Sequence, residues 1–231
     1  MARTSLLFSN HRIRNAEFPM FKILQSCIAL CEDWFFDFRF GVQTSRVVEV
    51  CQLDISEEDK SHAVRYKPTR VRYFRKLLQQ YPLPASTVFV DVGCGRGRVV
   101  LLAAMQGFKK TIGLELSPKL AAGAAQNLAF YRKRNPRIGE ATIFCTNVLE
   151  HDFNNDETVF FLFWPFDREV TKQFIEILRK SLRKSPRNVT LIINEFQFHD
   201  TLEADHDFRH AKRIVYGAAA FDIYTFNLGN V

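Results

Sequence analysis

Residues 88–98 read Val88-Phe89-Val90-Asp91-Val92-Gly93-Cys94-Gly95-Arg96-Gly97-Arg98, and this stretch decides the fold. A buried-strand pattern runs into a glycine turn, and Val99-Val100-Leu101-Leu102-Ala103-Ala104-Met105 continues from it as an apolar helix. Strand, glycine turn and helix in that order form the first βα unit of a Rossmann-like sheet. Glycine lacks a Cβ, so the backbone can turn sharply there and lie against a ligand. In a dinucleotide-binding turn the third glycine follows two intervening residues, and the helix N-terminus cradles a pyrophosphate. Here the glycines alternate at 93, 95 and 97, and Arg98 stands where that third glycine would be. Asp91, just ahead of them, repels a diphosphate and suits a cationic ligand carrying an ammonium and a sulfonium. Glu115 lies 20 residues after Gly95, in a second strand pattern, Thr111–Leu116. A carboxylate there can accept hydrogen bonds from both hydroxyls of a ribose. That feature fits NAD equally, so the choice of ligand rests on the glycine spacing and Asp91.

Outward from this unit, strand and helix patterns alternate, which predicts a mostly parallel sheet with its ligand site at the carboxyl ends of the strands. Ser117-Pro118 caps a helix that runs to Arg134. Ala141–Asn147, Thr158–Trp164 and Val189–Asn194 read as strands, and a helix from Arg168 to Lys184 with Asp167 as its cap separates the last two. Arg213–Tyr216 and Phe221–Phe226 predict a closing hairpin around Gly217. The fold class is therefore α/β, doubly wound, with a seven-stranded sheet, a C-terminal hairpin and an N-terminal helical extension.

Residues 1–84 are read as that extension, a lid or substrate-selecting segment and not a separate domain, because no Gly/Ser/Pro-rich linker divides them from the nucleoside-binding domain, 85–231. Within the extension, apolar residues from Phe18 to Phe36 recur at helical spacing in a stripe no wider than core packing demands. Val71–Leu78 predicts a second helix, ended by Pro82 and Pro84.

The chain has 231 residues, 47% of them hydrophobic, enough for a full core, and its 23 phenylalanines are read mainly as core. The formal charge of +7 favours an acidic or macromolecular partner. Its densest runs, Arg132–Arg134 and Arg179–Arg187, fall near the ends of predicted helices, where cations also complement the macrodipole. Five cysteines without a CxxC pair, several of them in predicted core strands or the glycine turn, fit a reduced, cytoplasmic protein. The run Phe21–Cys31 is too short and polar to span a bilayer. His206 and His210 have the HxxxH spacing of a helical metal site, but with no cysteine nearby and no third fixed ligand, no metal is expected.

In Phe36–Thr44, Tyr66–Thr69, Phe89–Arg98, Ile112–Pro118 and Phe163–Phe166 the chain resembles class I S-adenosylmethionine-dependent methyltransferases, in particular a bacterial group. More distantly, through the glycine turn and Tyr66, it is similar to the seven-stranded lysine methyltransferases outside the SET class. The resemblance implies S-adenosyl-L-methionine as cofactor. It implies that Asp91, Val92, Gly93, Cys94, Gly95 and Gly97 hold the methionine part, that Glu115 and Leu116 meet the ribose, and that Asn147 and Val148 meet the adenine. Relatives carry Asp at 147, and an amide oxygen can accept the same bond. Tyr66 and Thr69 correspond to a lid over the cofactor.

Trp164, Pro165 and Phe166 fall where related enzymes grip an amine with an Asn/Asp-Pro-Pro-aromatic motif. Trp164 in place of the amide suggests an aromatic wall instead. Glu195, just beyond the fifth strand, is the candidate general base. These residues imply methyl transfer to a nitrogen or oxygen of an unidentified acceptor: protein amine, RNA or small molecule. Two alternatives stay open: a cofactor-binding module that has lost transfer, and an NAD-dependent oxidoreductase, against which Asp91 and Arg98 argue.

Overall fold

A computed structural model describes residues 19–163, 166–195, 197–203 and 207–226 of the chain. Three helices come first: α1 (Pro19–Phe40), α2 (Glu57–His62) and α3 (Val71–Gln80). The alternating part follows as β1 (Val88–Val92), α4 (Arg98–Ala104), β2 (Lys110–Glu115), α5 (Pro118–Arg134), β3 (Glu140–Cys145), β4 (Val159–Phe163), α6 (Arg168–Lys184) and β5 (Val189–Asn194). It ends with a short α7 (His199–Glu203) and the antiparallel pair β6 (Phe208–Tyr216) and β7 (Ala219–Phe226). Together the strands make one seven-stranded sheet in the order β3-β2-β1-β4-β5-β7-β6. Strands β1 to β5 run parallel, and β7 inserts antiparallel between β5 and β6.

Central β1 is buried at every residue, as a strand covered on both faces should be. Its alternate side chains serve two cores. Phe89 packs with Phe161, Phe74, Val100 and Phe36 on the side of α1, α3 and α4, whereas Val88, Val90 and Val92 pack with Phe174 and Leu178 of α6. Helices α1 and α3 thus share the sheet's core. Much of the phenylalanine content serves here: Phe74, Phe89 and Phe161 form mutual ring contacts on one face, and Phe153, Phe160 and Phe174 do so on the other.

The caps form as the sequence indicates, since Ser117 accepts from the Leu120 N–H and Asp167 from the Val170 N–H. Four readings need correction. Helix α1 is not a one-sided amphipathic helix: Ala29, Asp33 and Phe36 face the core, yet Leu24, Trp34, Phe35 and Phe38 lie in solvent. Cys145 is exposed rather than core, because β3 is the edge strand, and only Cys94 is buried. His210 lies in β6, so HxxxH is not a helical pair; the ring approaches Asp222, and His206 lies outside the described residues. Finally, the third strand stops at Cys145, and Asn147 caps a 3-10 turn, Val148–Glu150. Among the described residues no helix is long and apolar enough to cross a membrane.

Candidate functional site

The glycine turn is held by its own backbone. Gly93 and Cys94 both donate to the Leu114 carbonyl at 2.9 Å, and Gly97, at φ 79°, caps α4 in the left-handed region that favours glycine. At Gly95, φ is 54° and the Tyr66 ring lies against the backbone, so a Cβ built there would sit 1.9 Å from Tyr66 Cε2. Tyr66 is in turn fixed by its hydroxyl donating to the Thr44 carbonyl and by a two-way backbone bridge to Val48.

Beside this turn is a cavity of about 330 Å³. Asp91, Gly93, Cys94 and Glu115 line it at the strand ends; Leu116, Asn147 and Val148 line it beyond β2 and β3; Phe163 and Phe166 follow β4; and Tyr66 to Thr69 contribute the extension's side. An isolated antiparallel bridge between Ala63 and Phe166, about a hundred residues apart in sequence, ties the extension to the exit of β4.

Two carboxyls dominate the electrostatics. Asp91 is buried, and no side-chain hydrogen bond or ion pair reaches its carboxyl among the described residues. Burial first, and the neighbouring charge of Glu115 second, push it well above the usual carboxylate range. Burial raises Glu115 as well, opposed by the N–H groups of Ser117 at 2.9 Å and Gly95 at 2.7 Å that donate to it. Neither of these two buried acids is paired with a cation among the described residues, which leaves a local deficit of positive charge beside them. The Asn147 side-chain oxygen accepts from the Leu149 N–H, which fixes the side chain at the cavity wall and leaves a second lone pair.

Several residues here were not singled out from the sequence. Arg98, read only as a missing glycine, is the largest fully buried side chain among the described residues. It donates to Thr44 Oγ1 at 2.8 Å, Ser45 Oγ at 2.6 Å and the Thr69 carbonyl at 3.3 Å, and pairs with Asp33 at 3.1 Å. Asp33 also takes Arg70 at 2.8 Å and the Val71 N–H at 2.9 Å, so one carboxylate joins α1, the lid and the start of α3. A lone arginine opening a wholly apolar helix, together with two acids four apart in α1, Asp33 and Asp37, was the available signal. Lys67 lies over the Phe163 ring at 5.3 Å and pairs with Glu195 at 3.4 Å. His62 bonds Asp167 at 2.6 Å; that hydrogen bond, then the Asp167 charge, raises the imidazole above its ordinary value.

Of the residues expected to form the site, the structure brings Tyr66, Thr69, Asp91, Val92, Gly93, Cys94, Glu115, Leu116, Asn147, Val148 and Phe166 onto one cavity. Gly95 and Gly97 shape the turn behind it. Glu195, at φ 56°, reaches the cavity only through Lys67, which lines it. Trp164 and Pro165 lie outside the described residues.

The family model described as "Histone methylation protein DOT1" matches residues 46–191, more than half of the chain. The chain belongs to this family. Like other DOT1-family proteins it is an S-adenosylmethionine-dependent methyltransferase. Among curated relatives, a protein-lysine N-methyltransferase of Saccharolobus islandicus is 27% identical over 128 residues, covering 55% of this chain and 75% of the relative. A histone-lysine N-methyltransferase, H3 lysine-79 specific, of Dictyostelium discoideum is 26% identical over 164 residues, 67% of this chain; the match spans only 8% of that protein. In fold, the chain resembles an RNA methyltransferase from Salinibacter ruber solved with S-adenosyl-L-homocysteine, at a TM-score of 0.55 and 18% identity, covering 71% of this chain and 96% of the other.

S-adenosylmethionine is the cofactor of the DOT1 family fold described here, and the cavity's chemistry fits it. The unpartnered Asp91 beside Glu115 meets a cationic ligand's charge, where a diphosphate would add to the repulsion.

Proposed function

We propose that this DOT1-family protein methylates the side-chain nitrogen of a lysine in a protein substrate. The observation that carries the reading is a cofactor cavity lined by buried carboxyls and extending to Phe163 and Phe166 beside the lid and α6, in a chain whose curated relatives are named as lysine methyltransferases. Two further carboxylates, Glu58 and Glu169, line that end close enough to His62 to bias its protonation, and such a mouth suits a cationic side chain.

When bound, S-adenosylmethionine supplies a methyl group on a positively charged sulfur, already activated toward an in-line nucleophile. The residues' task is then alignment and desolvation. Asp91 and the backbone of Gly93 and Cys94 would hold the amino-acid part. Glu115 and Leu116 would meet the ribose, and Asn147 and Val148 the adenine. Tyr66 and Thr69 close the cofactor's side, and Phe166 walls the acceptor's side. A lysine arrives as an ammonium and must lose a proton before its nitrogen can attack. Glu195, held at the cavity's edge by Lys67, is the carboxylate we assign to receive it. The reduced cysteines support a cytoplasmic setting.

The test is transfer of labelled methyl from the cofactor into a cell extract, followed by complete hydrolysis of the protein fraction. Label in methyllysine is expected. Label recovered in nucleotides or small metabolites, with none in protein, would overturn the reading.

A further inference from the structure

Six of the ten large hydrophobic side chains exposed among the described residues lie on α1: Leu24, Ile28, Leu30, Trp34, Phe35 and Phe38. Every fully exposed position of α1 from 24 to 38 is apolar, since the other two, 27 and 31, are cysteines. Trp34, at 67% exposure, and Phe38, at 72%, stack on each other with ring centroids 5.6 Å apart and an 8° interplanar angle. The opposite side of the helix is committed to the core by Ala29, Phe36 and the Asp33–Arg98 pair. A helix apolar on all sides is ordinarily a covered one. This one is covered on one side only.

What surrounds the ridge identifies the cover. Its C-terminal end abuts α5, because Gly41 sits against Phe130 and Arg134, and Phe40 packs edge-on against Tyr131 at 5.2 Å. There the surface turns cationic: Arg39, Arg132, Lys133 and Arg134 are exposed, and none of them pairs with a described carboxylate. Arg134 lies over the half-exposed Phe130 ring at 4.4 Å. An uncharged apolar ridge about four turns long with its exposed aromatic rings at the C-terminal end, bordered by unpaired cations on a protein of net charge +7, is complementary to an anionic lipid surface. A nucleic acid would require cations interleaved with the rings along the ridge, which α1 does not offer. A second copy would bring the same cationic border against a face with no exposed acid to receive it.

We infer that the solvent face of α1, with the end of α5, docks in plane onto anionic phospholipid bilayers, its aromatic ridge entering the interface and Arg39, Lys133 and Arg134 meeting the headgroups. The methyltransferase cavity is thereby held at a membrane surface by a helix lying in the interface.

The full chain is sedimented with vesicles of phosphatidylcholine alone or mixed in equal parts with phosphatidylglycerol, at low and high salt. Binding to the mixed vesicles that weakens with salt, and little binding to phosphatidylcholine, is expected. Trp34→Glu and Phe38→Glu should each reduce partitioning about tenfold or more, the effect of losing one interfacial aromatic. Arg134→Glu should weaken only the anionic vesicles' binding. S-adenosylhomocysteine affinity, measured by calorimetry, should be unchanged in all three and shows that they fold. Failure of the wild type to bind mixed vesicles overturns the inference. So does unaltered binding by the ridge variants, a ridge-dependent dimer in light scattering without vesicle binding, or retention on single-stranded RNA in place of vesicles.

Discussion

Replacing Asp33 with Asn keeps the side chain's shape and leaves an oxygen for the Val71 N–H, but removes the charge that faces Arg98 at 3.1 Å. Both partners are essentially sealed from water, at 2% and 1% side-chain exposure, so solvent screening does not soften the loss. What remains near the guanidinium is Asp37 at 3.8 Å, the Thr44 and Ser45 hydroxyls and the Thr69 carbonyl. Breaking a buried pair by neutralising one member costs about 3–5 kcal/mol. For a chain of this size each kcal/mol lowers the melting temperature by about 2–4 °C, so Asp33→Asn should melt about 6–20 °C lower. The direction is checked by circular dichroism melts and urea titration.

A cycle adds the sharper test. Arg98→Met alone strands Asp33 with Arg70 and the Val71 N–H, whereas Arg98→Met in the Asp33→Asn background removes a buried cation that has already lost its nearer carboxylate and keeps only Asp37. The double variant should therefore cost less than the sum of the two singles by well over about 0.5 kcal/mol, the limit within which independent sites add. Strict additivity, or an Asp33→Asn penalty below about 1 kcal/mol, would refute the claim that this pair fastens the extension to the glycine turn. The same variants should weaken S-adenosylhomocysteine binding, because Arg98 also holds the lid at Thr69.

Three more expectations can be measured directly. Since Asp91 is raised in the free protein and a cationic ligand favours its carboxylate, binding should release a proton and tighten as pH rises from the ordinary carboxylate range up to the raised free-state value; calorimetry in buffers of different ionisation enthalpy reads the proton count. Gly95→Ala should lower both stability and cofactor affinity, because the new methyl must displace the Tyr66 ring from a left-handed position; retained wild-type affinity with an unchanged melt would contradict the packing. His62 is raised by Asp167, so what the pair contributes is fully present below the imidazole's unfolded value and is lost as pH rises through the folded one. Melts across that window should show the slope in wild type, and His62→Ala should flatten it.

The sheet and its cofactor end were legible because they rest on short-range patterns. Strand, alternating glycines and apolar helix announce themselves locally, and the Ser117 and Asp167 caps depend on residues three apart. Arg98 was misjudged because its meaning is tertiary: only the fold reveals that Asp33 and Thr44, more than fifty residues earlier, face it. Cys145 and Phe144 looked like core because a strand's composition does not tell an edge from a centre, and β3 is an edge. His210 was spaced like a helical ligand, yet pairing with β7 drew its segment into a strand. At α1, helical periodicity was visible, but an apolar stripe looks the same whether it faces a core or stands clear of one.

The antiparallel insertion of β7 between β5 and β6 also governs how this chain can be born. Val189–Asn194 leaves the ribosome with its outer edge bare, and its partner, Phe221–Phe226, is made only afterwards. At ordinary synthesis rates the gap of some thirty residues lasts about 2–6 s, during which a strongly apolar strand offers an open row of amides and carbonyls to any neighbour. Because β6 and β7 pair with each other as a hairpin, they can arrive as a preformed unit and seal that edge in one step. Slowing translation beyond Asn194 should therefore favour aggregation of the nascent protein more than a pause anywhere earlier in the sheet.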